Sequence, residues 1–130
     1  MDRKRVLIDT SIIIDHLRKG DKKKSLLYKT IEKNKLYISS VSVFELYAGA
    51  IDERKTKDIE IILRALEPIP FSAEMGRRAG KLYISLKKEN LLLEIRDLLI
   101  GATAITWSLP LLTLNKKHFN RMQEITLYNL

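Results

Sequence analysis

The chain has 130 residues, a length that suits one domain with one sizeable core. It has no cysteine, which excludes disulfides and thiolate zinc sites, and only two histidines, so hard oxygen ligands are what it can best offer a metal. Lys and Arg number 24 against 16 Asp and Glu, a net charge of +8 that favours polyanionic partners, nucleic acid first.

Taken in order, Val6-Leu7-Ile8 is a short continuous apolar run, the pattern of a strand buried on both faces in a parallel sheet. It stops at Asp9, followed by Thr10 and Ser11. A carboxylate at that point stands at the carboxyl edge of a sheet, where open α/β folds keep their ligands; Asp9 or Thr10 also suits a simple helix cap. Ser11 to Lys19 predicts a first helix closed at Gly20, and Asp21 starts a second that runs to about Asn34. Leu36 to Ile38 makes a second strand, Ser39 to Ser42 leads into a helix carrying Phe44 and Tyr47, and Glu53 to Leu66 is a longer amphipathic helix.

Pro68 and Pro70 restrict a strand at Ile69 to a short or edge position. Ser72 opens a helix running to about Glu89, Leu91 to Arg96 is a connector, and Asp97 opens the most apolar helix, Leu98 to Trp107. Leu111 to Leu114 is a further strand ending in Asn115. Lys116 to Met122 is a polar loop or single turn, and Ile125 to Tyr128 adds a final strand. Strands alternating with helices predict a three-layer α/β/α sandwich around a mostly parallel central sheet, in one domain over residues 1–130. No apolar stretch approaches a membrane span, and the charged Met1–Arg5 with an apolar run broken by Asp9 does not fit a signal peptide; the expected compartment is the cytoplasm.

The logic of Asp9 recurs. Glu45 follows the second strand, Asp97 opens the apolar helix, and Asn115 ends a strand. In a parallel sheet these positions share one edge, so residues far apart in sequence converge. Clustered carboxylates repel, and a divalent cation such as Mg²⁺ or Mn²⁺ removes that penalty while binding phosphate oxygens and activating water. Each residue also has a structural alternative: Ser42 and Glu45 have capping-box spacing, Asp97 suits an N-cap, and Asn115 suits a turn. Asp15 is expected to be exposed, and His16 and His118 to be surface or packing residues.

VLIDTSIIIDHL, SVSVFELYAGA and RDLLIGATAITWSLPLLTLNKKHF together resemble the PIN domain, in particular VapC-type toxins of toxin–antitoxin modules, over nearly the whole chain and in the family's order. The resemblance carries the family's acids onto Asp9, Glu45 and Asp97; its last position, often an acid, is Asn115 here. It places Thr10 and Ser11 in the hydroxyl pair after the first Asp. It implies a Mg²⁺- or Mn²⁺-dependent endoribonuclease held inactive by a VapB-like antitoxin, with homodimers and larger assemblies. In that mechanism Asp9 and Asp97 hold the metal, Glu45 completes the site, and Lys116, Lys117 and Arg121 grip flanking phosphates of the RNA. Leu17, Leu26, Leu27 and Ile62 are candidates for the antitoxin groove. A dehalogenase-like phosphatase would want an Asp where Ser11 stands, a phospho-receiver would want adjacent acids, and there is no Gly-rich phosphate loop. The remaining rivals are an RNA-binding or partner-binding domain that keeps this scaffold without turnover, and a DNA nuclease, since phosphate and metal chemistry do not read the 2′-hydroxyl.

Overall fold

The computed structural model describes residues 3–129. Met1 and Asp2, part of the charged N-terminus read above, lie outside the described residues. The elements run β1 (Lys4–Ile8), α1 (Thr10–Arg18), α2 (Leu26–Ile31), β2 (Asn34–Ser39), α3 (Ser40–Ala48), α4 (Glu53–Leu63), β3 (Glu67–Ile69), α5 (Ala73–Lys88), α6 (Ile95–Thr106), β4 (Leu111–Leu112) and α7 (Lys116–Phe119). The sheet has the order β3-β2-β1-β4 with every pairing parallel.

Alternation along the strands divides the interior into two layers. Val6, Ile8, Leu36, Ile38 and Leu112 face one side and meet Ile12, Ile13, Leu27, Leu46, Ile59 and Ile62. Leu7, Tyr37, Ile69 and Leu111 face the other and meet Met75, Leu86, Leu98, Ile100 and Phe119. Val6, Leu7 and Ile8 are fully buried, which is why the run is apolar at every position. Each such side chain contributes roughly 1.5–3 kcal/mol relative to exposure. The result is the expected α/β/α sandwich.

Three local readings change. The helix expected from Asp21 to Asn34 is a 3-10 turn (Lys22–Lys24), capped by Asp21 accepting from Lys23 N, followed by the shorter α2. Ser25 divides them: its hydroxyl caps α2 by accepting from Tyr28 N at 3.1 Å. Asn34 belongs to β2, where it stands in register with Lys4 of β1. The last strand reduces to one parallel bridge, Leu111 with Leu127, made by Leu111 N to Thr126 O and Tyr128 N to Leu111 O. The α6 helix begins at Ile95, two residues before Asp97, with Glu94 as its N-cap. This helix lies close against the chain after α7: a Cβ on Gly101 would stand 2.3 Å from Met122 Sδ.

Pro68 sits in β3 opposite Ile38 on the sheet's edge, where its missing donor costs no inner ladder bond. From β1 the sheet first grows outward through β2 to β3, then returns to place β4 on the other side of β1. Strand order therefore reverses at β1, and the crevice beyond the carboxyl ends of β1 and β4 is where an open α/β sheet offers its ligand site.

Candidate active site

Asp9 occupies that crevice. It is the N-cap of α1 by backbone conformation (φ −73°, ψ 154°), yet its carboxylate makes no capping bond. It is fully buried and serves the crevice instead. Oδ2 accepts from the Ser11 hydroxyl and from the Thr113 hydroxyl, each at 2.7 Å, and Oδ1 faces Arg96 Nη2 at 3.3 Å. Ser11 Oγ in turn accepts from Leu114 N at 3.0 Å, and Thr113 Oγ1 from Asn115 N at 2.9 Å. The ends of β1 and β4 are thus tied together through one carboxylate.

Glu45 lies midway along α3, which starts where β2 ends. Ser39 caps that helix by accepting from Val41 N, and Ser42 stands inside it with its hydroxyl buried and unpaired, so the Ser42–Glu45 capping box does not form. Glu45 Oε1 accepts from Thr10 Oγ1 at 2.9 Å and from Arg96 Nη2 at 3.0 Å, while Oε2 accepts from Arg96 Nε. Asp97, in the first turn of α6, is buried and takes Arg96 Nη1 on Oδ1. Its Oδ2 stands 3.5 Å from Nδ1 of His118 on α7; His118 is exposed, as expected, but lies at the edge of the acids.

Asp9, Glu45 and Asp97 therefore converge on one guanidinium. Burial pulls the Arg96 pKa down, but the hydrogen bond to Glu45 and the charges of Asp9, Glu45 and Asp97 outweigh it and the net shift is upward. Burial raises the Asp97 carboxyl above its ordinary value; Arg96 opposes this, Asp9 reinforces it, His118 opposes it and Glu94 reinforces it.

Among the described residues no three His, Cys, Asp or Glu side chains stand close enough, as they are, to hold a metal. The guanidinium spaces the carboxylates around itself. The donor chemistry nevertheless fits Mg²⁺ or Mn²⁺: three carboxylates at one end of a sheet, oxygen donors only, two of them buried.

The remaining candidates lie around this centre. Thr10 and Ser11 hold Glu45 and Asp9. Asn115 is the N-cap residue of α7, half-buried, with no capping bond from its side chain. Lys116 and Lys117 are exposed at the start of α7. Arg121 is half-buried and donates from Nη1 to the Leu92 carbonyl at 3.1 Å, so it braces the loop before α6. Asp15, expected to be exposed, is only 15% so: its Oδ2 accepts from Leu26 N and Oδ1 faces Lys19. Sequence reasoning missed Arg96 and Thr113. The available signals were the Arg-Asp pair at 96–97 and a hydroxyl inside the otherwise apolar LLTL.

The PIN domain family profile matches residues 6–125. The chain is 30% identical over 126 residues to ribonuclease VapC1 of Methanocaldococcus jannaschii, covering 97% of this chain and 87% of the relative. It is 34% identical over 128 residues to ribonuclease VapC of Rickettsia bellii, covering 92% of each. Among solved structures, VapBC2 from Rickettsia felis bound to a DNA fragment from their promoter superposes with a TM-score of 0.86 at 30% identity, covering 97% of this chain and 98% of that one. With the PIN-domain profile spanning most of its length and VapC relatives matching it nearly end to end, this chain belongs to the PIN-domain family, among its VapC ribonucleases.

Proposed function

We propose that the protein is a Mg²⁺- or Mn²⁺-dependent endoribonuclease, the toxin of a VapBC-type toxin–antitoxin module acting in the cytoplasm. The observation that carries this reading is the meeting of Asp9, Glu45 and Asp97, from three separate elements, at the ligand end of the sheet in a chain of charge +8. A bound divalent ion would supply Lewis-acid polarisation of the phosphoryl group and acidify water, so no dedicated histidine base is needed. Asp9 and Asp97 are the ion's holders, with Glu45 completing the set. Thr10, Ser11 and Thr113 fix the carboxylate rotamers in advance, which lowers the reorganisation needed at the moment of reaction. Asn115, beside Thr113 at the rim, offers its amide to the substrate. Lys116 and Lys117 meet the flanking phosphates as exposed point charges.

The antitoxin reading needs a different groove from the one expected. Leu27 and Ile62 are core residues, and Leu26 packs against that core, so they do not form an open surface. Leu17 does line a groove of about 560 Å³ between α1, α3 and α4, with Ile14, Leu46 and Ile59. The groove reaches Thr10 and Glu45, so a segment seated in it would end at the acids.

The test is cleavage of mixed RNA and matched DNA by antitoxin-free protein with Mg²⁺, Mn²⁺ or EDTA, beside Asp9→Asn and Asp97→Asn. The expected result is metal-dependent RNA cleavage lost in both variants. Binding by well-folded protein without cleavage, across several RNA classes, would instead favour a binding domain that keeps the scaffold.

A further inference from the structure

Arg96 occupies the point at which the acids converge, and all three of its guanidinium nitrogens are used. Nε meets Glu45, Nη2 meets Glu45 and Asp9, and Nη1 meets Asp97. We infer that Arg96 is the resident counter-cation of the site: its guanidinium holds the three carboxylates together in the metal-free protein and competes with the divalent ion for the same oxygens. The inference rests on the metal-dependent reading above.

Charge and geometry support it together. Three carboxylates at close quarters, two of them buried, repel unless a cation lies among them. One guanidinium brings a single positive charge to the three carboxylates, where a divalent ion would bring two to the same oxygens. The carboxylates also have anchors independent of Arg96: Ser11 and Thr113 hold Asp9, and Thr10 holds Glu45. Withdrawal of the guanidinium therefore leaves Asp9 and Glu45 in place. The arginine side chain keeps about a quarter of its surface exposed, and its neighbour Ile95, in the same first turn of α6, is 71% exposed. A long, partly open side chain on the first turn of a helix can leave by rotamer change without moving the fold.

Competition has a measurable consequence. If the guanidinium fills the site for about nine-tenths of the time, the apparent metal affinity falls about tenfold below its intrinsic value. The experiment is a titration of Mn²⁺, reading free ion by electron paramagnetic resonance, on the wild type, Arg96→Gln, Arg96→Lys and Asp9→Asn, with chemical unfolding of each in EDTA and in Mn²⁺. Arg96→Gln is expected to bind Mn²⁺ about tenfold more tightly, to unfold more easily than wild type in EDTA, and to regain more stability from Mn²⁺. Arg96→Lys, which keeps the charge but loses the planar fork, is expected to lie between, and keeps the comparison available if the glutamine variant does not fold. Wild type that binds Mn²⁺ as tightly as both Arg96 variants overturns the competition and leaves the metal reading standing. If Mn²⁺ binds to none of the proteins, and RNA cleavage does not respond to metal, the metal reading falls and the competition with it. A purely structural role for Arg96 predicts weaker binding in the variants, and that outcome also overturns the inference.

Discussion

Asp9 brings a full charge into the interior, and its neighbours show how that is tolerated. Two hydroxyls, from Ser11 and Thr113, donate to one carboxylate oxygen, and a guanidinium faces the other. Thr113 is buried and doubly used, since its oxygen also accepts from Asn115 N. Thr113→Val keeps the shape and removes both bonds, leaving a buried charge and a backbone donor underserved. Hydrogen bonds to charged groups contribute about 1.5–3 kcal/mol, so a loss of about that size in unfolding free energy is expected, with Thr113→Ser regaining most of it. Equal stability of the valine and serine variants in urea unfolding would show that the hydroxyl does not matter. At this scale the sequence disclosed Asp9, Glu45 and Asp97, because a charge interrupting an apolar run is conspicuous. It did not disclose Thr113 or Arg96. Thr113 meets Asp9 from 104 positions away, and Arg96 meets Asp9 and Glu45, both brought to it from other parts of the chain. No local spacing carries that information.

Elements are joined by the same kind of contact, and the turn between α1 and α2 is built from four side chains. Lys22 Nζ donates to the His16 and Leu17 carbonyls, covering the last turn of α1, while Asp15 accepts from Leu26 N. His16 Nδ1 lies 2.7 Å from Ser25 Oγ, the hydroxyl that caps α2. These tertiary bonds explain why the expected long helix is split at Ser25: a serine read only by propensity is tolerated mid-helix, whereas here its oxygen stops one segment and starts another. Likewise α6 gains its first turn before Asp97 because Glu94 O accepts from Asp97 N and Leu98 N, a register that apolar periodicity does not fix. The joint carries a pH dependence. Burial lowers the His16 pKa below its usual value of 6.5, Lys22 lowers it further, and Asp15 opposes. The unfolded chain therefore binds the proton first as pH falls. Stability contributed by neutral His16 is full above pH 6.5 and is lost as pH falls through the lower, folded-state value. Urea unfolding at about pH 7.5 and about pH 5.5 is expected to show a smaller acid loss for His16→Gln than for wild type; equal losses would place the sensitivity elsewhere.

The whole molecule sets an acidic site in a basic chain. The α/β/α layering was legible from the continuous apolar runs Val6-Leu7-Ile8 and Leu36-Tyr37-Ile38 and from strands alternating with helices, since each strand must serve two apolar layers. What alternation does not give is strand order, and it is the order β3-β2-β1-β4 that puts Asp9 and Thr113 at the reversal point. There, a pocket of acids lies within a chain of net charge +8, so the charge balance of the chain as a whole attracts a polyanion that the pocket alone would repel. Lys116 and Lys117 begin α7, the helix whose His118 stands beside Asp97, and both are exposed and close to the rim in sequence and in space. Arg121 is committed to the Leu92 carbonyl and is the weaker candidate for a phosphate contact. For single-stranded nucleic acid, each neutralised phosphate adds about 0.7 to the slope of log affinity against log salt. Replacing both lysines by alanine should therefore reduce that slope by about 1.4, and weaken binding to similar degrees across unrelated RNA sequences. The measurement is fluorescence anisotropy of labelled RNA between about 50 and about 200 mM salt, in an Asp97→Asn background so that the RNA stays intact. Weaker affinity with an unchanged slope would mean that the lysines act through the fold of α7 and not by displacing counterions. An unchanged affinity and slope would move the phosphate track away from α7 altogether, to the basic surfaces elsewhere on the molecule.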